Sequence, residues 1–465
     1  MKVKQLYTNC LAQGAYYISH NGEAAIIDPL RETKPYLDLL KQNNDTLKYI
    51  FETHFHADFV SGHVDLANAT GATIVFGPNA ETSYKSYIAK DNEEFKIGGL
   101  TLKVLHTPGH TLESTTFLLL DADKKPHCIF TGDTLFIGDV GRPDLAIKSN
   151  LTQNDLAGML YDSLRNKIMT LPDEVIVYPA HGAGSACGKN MSKETFDTLG
   201  NQKKTNYALQ NISKEAFITE LTTGIAPAPQ YFSKNALLNK SGYKNFEEVF
   251  KSGSTALDAE AFEEIMQNQK PLVLDVRKPE EFGAGHIPGS LFIGLDGQFA
   301  PWVGTVIEHL NTPILLVAPE GREEETITRL SRVGYDNCIG YLNGGFEEWR
   351  AAGKATASIE TVDADKYVDL YKTGIETLDV RKPGEYDADH LEKAVNKPLD
   401  FIYDWAGGLN KENKYYINCA GGYRSMIAAS VLKANGYKRL VNIAGGFSAI
   451  AKTGVATCKT SCGKS

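Results

Sequence analysis

The sequence predicts an α/β protein of three domains, and three observations carry that expectation. In the first 250 residues, apolar runs of strand length end one after another in His or Asp beside Gly or Pro, as loops projecting from sheet ends do. Beyond residue 255, the block Leu274-Asp275-Val276-Arg277-Lys278-Pro279 recurs as Leu378-Asp379-Val380-Arg381-Lys382-Pro383, so one domain occurs twice. The length of 465 residues gives about three domains at a prior of roughly 150 residues each.

Composition bounds the function classes. Apolar residues make up 42% and charged residues 23%, ordinary values for a globular protein with a real core. Against 57 acidic residues stand 48 basic ones, a net charge of -9 with no basic stripe, which gives no support for nucleic acid or an anionic membrane as partner. No window approaches the length of a membrane span and no signal segment follows Met1, so a cytoplasmic protein is expected. The seven cysteines are odd in number and widely spaced, which argues against a disulfide framework and for reduced thiols available to chemistry.

Residues 1–30 form strands around Gly14 and Asn21-Gly22 and end at Ile26-Ile27-Asp28-Pro29, where Asp28 is structural or supports a site. A helix over 34–43 leads to a strand over 47–51, and the loop after it reads Thr53-His54-Phe55-His56-Ala57-Asp58-Phe59. Imidazoles and carboxylates packed this closely at a strand end suit a transition metal, provided further ligands come from elsewhere. Those ligands follow: Thr107-Pro108-Gly109-His110, then Thr131-Gly132-Asp133, then Pro179-Ala180-His181-Gly182, each closing an apolar strand. Any one of these histidines alone would be an ordinary loop residue; four in step with strand ends form a constellation. Short and long helical patterns cover 62–70 and 150–169.

HxHxD, TPGH, TGD and PAHG together resemble the metallo-β-lactamase superfamily over about residues 1–250. The resemblance implies an αβ/βα sandwich with metal along one edge. Dinuclear hydrolases of the superfamily, such as glyoxalase II, read HxHxDH, whereas this chain has Phe59 at the last position. A phenyl ring removes a ligand of the second ion, so one metal is expected rather than two. The set for one ion is His54, His110 and Asp133, the two-imidazole, one-carboxylate composition that suits non-haem Fe(II) working with dioxygen. THFHADFVSGH with TGDTLFIGDVGRPDL is similar to the persulfide dioxygenases of the superfamily. In that resemblance His56, Asp58 and His181 orient ligands or water, and Arg142 fixes the pocket or an anionic substrate, its alternative being a loop salt bridge.

Past His181, the loop Gly182-Ala183-Gly184-Ser185-Ala186-Cys187-Gly188 holds a thiol near the metal region. Flanking glycines and electropositive surroundings would leave Cys187 accessible and reactive, its alternative being a buried small hydrophobe; the resemblance implies a loop where substrate persulfide or a relay thiol docks. Residues 192–243 are polar and helical and carry no assigned chemistry, and 251–254 is the expected linker.

The two repeats, 255–355 and 360–455, alternate short strands with helices, so parallel sheets are expected. In the second, a strand over 415–418 meets Cys419-Ala420-Gly421-Gly422-Tyr423-Arg424 and then a helix. A thiol there faces converging backbone N–H groups and the positive helix end, which stabilise thiolate. This loop resembles that of the rhodanese sulfurtransferases, in which Cys419 would carry persulfide sulfur and Arg424 would hold the loop and its anionic partner. Aligned on Arg322, the first repeat has Val317 at the cysteine position and an acidic loop, so it resembles an inactive rhodanese serving as spacer or docking module. The tail pair Cys458 and Cys462 is polar, and disorder is expected there.

Over its whole length the chain resembles persulfide dioxygenase–rhodanese fusions. The resemblance implies one Fe(II) per chain and a low-molecular-weight persulfide oxidised by dioxygen to sulfite and thiol. It also implies sulfur transfer at Cys419 that forms or consumes thiosulfate, and a homo-oligomer. The competing reading is a zinc thioester hydrolase of glyoxalase II type fused to rhodanese domains.

Overall fold

The computed structural model describes residues 1–146, 151–225 and 227–459. The chain divides into two compact units, one of residues 1–246 with 331–334, the other of the remaining residues from 247 on.

The first unit holds two six-stranded sheets. One runs Lys2–Thr8, Gln13–His20, Glu23–Ile27, Thr46–Glu52, Thr73–Phe76 and Tyr87–Ile88; the other runs Asp197–Thr198, Ile176–Pro179, Pro126–Gly132, Thr115–Leu120, Leu100–His106 and Glu94–Ile97. Alternation along the strands explains the layering. Tyr16, Ile18, Phe51 and Val75 from the first sheet meet Leu102, Val104, Phe117 and Phe130 from the second in one core. Neighbouring residues Ala15, Tyr17 and Ile26 face the other way, onto Tyr36, Leu39 and Leu40 of helix Lys34–Asn43. On the far side, Leu118, Leu120 and Ile129 pack against Ala157, Leu160 and Phe217. The order is therefore helices, sheet, sheet, helices, the sandwich expected from the sequence.

Residues 153–168, within the stretch expected to be helical, form helix Gln153–Ser163 and a π-helical turn Leu164–Ile168; Asn150 lies outside the described residues. Residues 251–253, expected as part of a linker, complete helix Phe246–Gly253 instead, because Val249 and Gly253 are buried. Among the described residues no helix is long and apolar enough to cross a membrane.

The second unit contains two five-stranded parallel sheets of identical order. In the first repeat it is Ala256–Leu257, Cys338–Leu342, Ile314–Val317, Leu272–Asp275, Leu291–Phe292; in the second, Glu360–Val362, Arg439–Ile443, Lys414–Asn418, Thr377–Asp379, Ala394–Asn396. The register corrects one sequence alignment. Asp275 pairs with Val317 in the first repeat, and the equivalent Asp379 pairs with Asn418 in the second. Val317 is thus the counterpart of Asn418, and Ala318, not Val317, occupies the position of Cys419. The loop lengths before the helix differ by one residue, so alignment on an arginine slipped by one. Either way the first repeat has no thiol there.

Candidate metal centre and thiol loop

The three ligand candidates come from three strand ends. His54 follows Thr46–Glu52, His110 follows Leu100–His106, and Asp133 follows Pro126–Gly132; all are buried. Gly132 adopts φ +53, and a Cβ on it would lie 2.6 Å from Thr53, so only glycine lets these two strand ends approach. The Nε2 atoms of His54 and His110 lie 3.8 and 3.4 Å from Asp133 Oδ2. One ligand atom from each residue falls within 4.8 Å of the others.

Hydrogen bonds on the far side of each ring fix which nitrogen points inward. Thr53 Oγ1 donates to Asp28 Oδ2 at 2.9 Å, so it accepts the Nδ1–H of His54 at 3.0 Å. The Nδ1–H of His110 donates to the Arg142 carbonyl at 2.9 Å. Both Nε2 lone pairs therefore face Asp133 Oδ2, a buried oxygen with no hydrogen-bond partner among the described residues. Burial, then neighbouring His56, push the His54 pKa well below its ordinary value despite Asp133, which keeps the ring neutral and able to ligate. Two imidazoles anchored through Nδ1 with Nε2 turned inward, and an orphaned carboxylate oxygen, are a fit for a divalent transition ion.

His56, Asp58 and His181 converge separately, again within 4.8 Å. His181 donates through Nδ1 to Asp133 Oδ1 at 2.7 Å, and its Nε2 lies 2.8 Å from Asp58 Oδ2. Burial opposes charge on this ring, but Asp133 and Asp58 outweigh it and hold its pKa well above the ordinary value. His181 thereby occupies one oxygen of Asp133 and leaves the other to the ligand set. His56 turns its Nε2 to Asp28 Oδ1 at 3.1 Å. The fully buried Phe59 ring lies 4.3 Å from His56 and 6.4 Å from His181, filling the space beside this second cluster with hydrocarbon.

Arg142 is buried, and its Nε and Nη2 reach Asp144 at 2.6 and 2.7 Å, the loop salt bridge that was the alternative to substrate binding; its carbonyl orients His110. Cys187 differs from expectation. It sits within 4.8 Å of Asp133 and His181 ligand atoms, beside the metal centre, but it is buried and its surroundings are anionic. Burial, then Asp58 and Asp133, raise its pKa well above the ordinary value. The flanking glycines do not expose it because Arg142 N–H donates to its carbonyl and Phe136 and Met191 close over Gly188.

One contributor was missed from sequence. Asn239, on helix Phe232–Ser241, donates to the carbonyls of His56 and Phe59 at 2.7 and 2.8 Å and accepts from Ser61 N–H at 2.8 Å, strapping the metal loop. Nothing local marks it, since its partners lie some 180 positions away.

In the second repeat, Cys419 opens the loop before helix Tyr423–Ala434 and is buried. The Gly422 N–H donates to its Sγ at 3.1 Å, and Ser425 Oγ lies 3.5 Å away. Arg424 forms a bidentate pair with Glu385 at 2.6 and 2.7 Å, tying the loop to helix Pro383–Ala388. Cys458 pairs through its backbone with His390; Cys462 lies outside the described residues.

Comparison with known proteins adds the lineage. The metallo-β-lactamase superfamily model matches residues 9–181, and the rhodanese-like domain model matches 258–352 and 363–453. A probable hydroxyacylglutathione hydrolase of Schizosaccharomyces pombe is 32% identical over 34% of this chain, which spans 58% of that protein's length. The mitochondrial persulfide dioxygenase ETHE1 of Homo sapiens is 31% identical over 45% of this chain and 74% of its own. A crystal structure of a metallo-β-lactamase from Staphylococcus aureus subsp. aureus COL superposes with a TM-score of 0.66 at 31% identity, covering 73% of this chain and 98% of that one.

Proposed function

Because this chain belongs to the metallo-β-lactamase superfamily, with an ETHE1-like domain followed by two rhodanese-like domains, we propose that it oxidises a low-molecular-weight persulfide with dioxygen and moves sulfane sulfur through Cys419. The oxidation balances as RSSH + O2 + H2O → RSH + SO3²⁻ + 2H⁺. The transfer balances as Cys419–S–S⁻ + SO3²⁻ → Cys419–S⁻ + S2O3²⁻, and its reverse charges Cys419 from thiosulfate.

His54, His110 and Asp133 would hold one Fe(II), which when bound supplies the redox chemistry joining dioxygen to sulfur. Thr53 and the Arg142 carbonyl hold the two imidazoles in the ligating tautomer. His181 takes Oδ1 of Asp133 and leaves Oδ2 for the metal that would sit there, and Phe59 puts hydrocarbon beside the adjoining cluster, where a second ion would need a ligand. In the second repeat, the Gly422 N–H stabilises anionic sulfur on Cys419, and Arg424 braces the loop. Carrying both sites on one chain raises the effective concentration of shared sulfite.

The observation that carries this reading is Asp133, with one oxygen bound by His181 and the other facing two imidazole lone pairs beside Phe59. Fe(II)-loaded protein given a persulfide should consume oxygen, and absence of uptake removes the oxidative half. Cys419→Ser should abolish thiosulfate formation while sulfite still accumulates; an unchanged thiosulfate yield removes Cys419.

A second reading has one observation in its favour: the hydroxyacylglutathione hydrolase relative is as similar as the persulfide dioxygenase. It requires about two zinc ions per chain and hydrolysis of a glutathione thioester.

A further inference from the structure

The first repeat has Ala318 where the second has Cys419, and the sequence gives it no chemistry. It nonetheless contacts the second repeat along the helix that follows the thiol loop, at Tyr423, Met426 and Ser430. Tyr423, the first residue of the helix after that loop, donates its hydroxyl to the Gly294 carbonyl of the first repeat at 2.7 Å. Its ring meets Phe292 edge-on at 5.8 Å and 72°. It fits there only because two glycines line the seat: a Cβ on Gly294 would lie 3.1 Å from Tyr423 Cε2, and one on Gly297 would lie 2.3 Å from Cζ. Further along the helix, Phe292 N–H donates to Ser430 Oγ at 3.0 Å, a second anchor two turns from the loop.

Tyr423 follows Gly422 directly, and Gly422, at φ +97, supplies the N–H that bonds Cys419 Sγ at 3.1 Å. A residue on each side of one peptide bond is therefore committed, one to the thiol and the other to the neighbouring repeat. We propose that the first repeat is a positioning module for the thiol loop: its Gly294–Gly297 seat holds Tyr423, and through it holds the Gly422 N–H on Cys419. Tyr423 is a positioning residue, and the thiolate is stabilised by a geometry that the second repeat does not secure alone.

The inference rests on Cys419 as the sulfur-carrying thiol, so the test reads the thiol chemically as well as through turnover. In the full chain, Tyr423→Phe removes the hydroxyl bond and Gly297→Ala displaces the ring, each leaving Cys419 and Gly422 themselves unchanged. Both should raise the pH midpoint of Cys419 alkylation by about half a unit or more, since a donor to thiolate is lost. With thiosulfate as donor, kcat should fall about threefold for Tyr423→Phe and about tenfold or more for Gly297→Ala, with KM unchanged. Ser430→Ala, which cuts an anchor two turns from the loop, should lower thermal stability but keep the wild-type midpoint and kcat. Wild-type midpoints in both loop-seat variants, or an equal effect of Ser430→Ala, overturn the proposal. A wild-type chain that alkylates normally but moves no sulfur through Cys419 sinks the sulfurtransferase reading instead, and the alkylation comparison still decides the seat.

Discussion

Thr53→Val tests the metal centre at its least conspicuous support. The substitution keeps side-chain volume and removes one hydroxyl, which accepts from His54 Nδ1 at 3.0 Å and donates to Asp28 Oδ2 at 2.9 Å. Asp28 retains the Thr53 N–H at 2.8 Å, so the backbone there stays fixed. His54, fully buried, is left with an N–H that has lost its acceptor, a cost of about 1–3 kcal/mol. If the ring rotates to recover a partner, its Nε2 lone pair leaves the position 3.8 Å from Asp133 Oδ2. Either outcome falls on metal binding, and at about 1.4 kcal/mol per decade the Fe(II) affinity should drop roughly 10- to 100-fold. An anaerobic competition titration against a chromophoric chelator measures this, with the melting temperature of metal-free protein recorded alongside. Thr53→Ser, which keeps the hydroxyl, should bind within about threefold of wild type. The reasoning is refuted if Thr53→Val binds Fe(II) as tightly as wild type, or if Thr53→Ser loses as much.

Phe59→His places an imidazole beside Asp58 and His181, and under zinc supply the metal content should rise from about one ion per chain towards two; elemental analysis that stays at one shows that the phenyl ring is not what excludes the second ion. His286, stacked on Phe282 at 4.0 Å, has its pKa pushed down from 6.5 to about 4, chiefly by burial. Between those values the unfolded chain binds more protons than the folded one, so stability should rise with pH across about 4 to 6.5 and be lost on acidification through that window. Urea unfolding of His286→Gln should show a flatter pH slope there, and an unchanged slope would assign the acid sensitivity to other groups.

How far the sequence reached depended on the range of the interaction involved. Ligand chemistry restricts residue type, and strand ends restrict placement, so the histidines and Asp133 were legible as a constellation; the family resemblance singled out His54, His110 and Asp133, and the structure brings a ligand atom of each within 4.8 Å of the others. The repeat and its parallel sheets were equally legible, since strands alternating with helices admit few topologies. Burial was not. Cys187 sits in a glycine-rich stretch that suggests access, yet it is buried, with the Arg142 N–H on its carbonyl and Phe136 against neighbouring Gly188 from other parts of the chain.

The sequence by itself determined what kinds of atoms are available: two imidazoles and a carboxylate at three strand ends, a phenyl ring where a fourth ligand type would stand, and one thiol loop in two repeats. Only the tertiary structure decided how they are oriented. The Thr53 and Arg142 oxygens choose the histidine tautomers, His181 divides the two oxygens of Asp133, and Asn239 straps the loop from some 180 residues away. Sheet pairing put Ala318 opposite the thiol position, and two glycines of the silent repeat made room for Tyr423. The reason is physical: hydrogen-bond direction and steric room depend on atoms brought together by folding, and sequence spacing does not encode the partner.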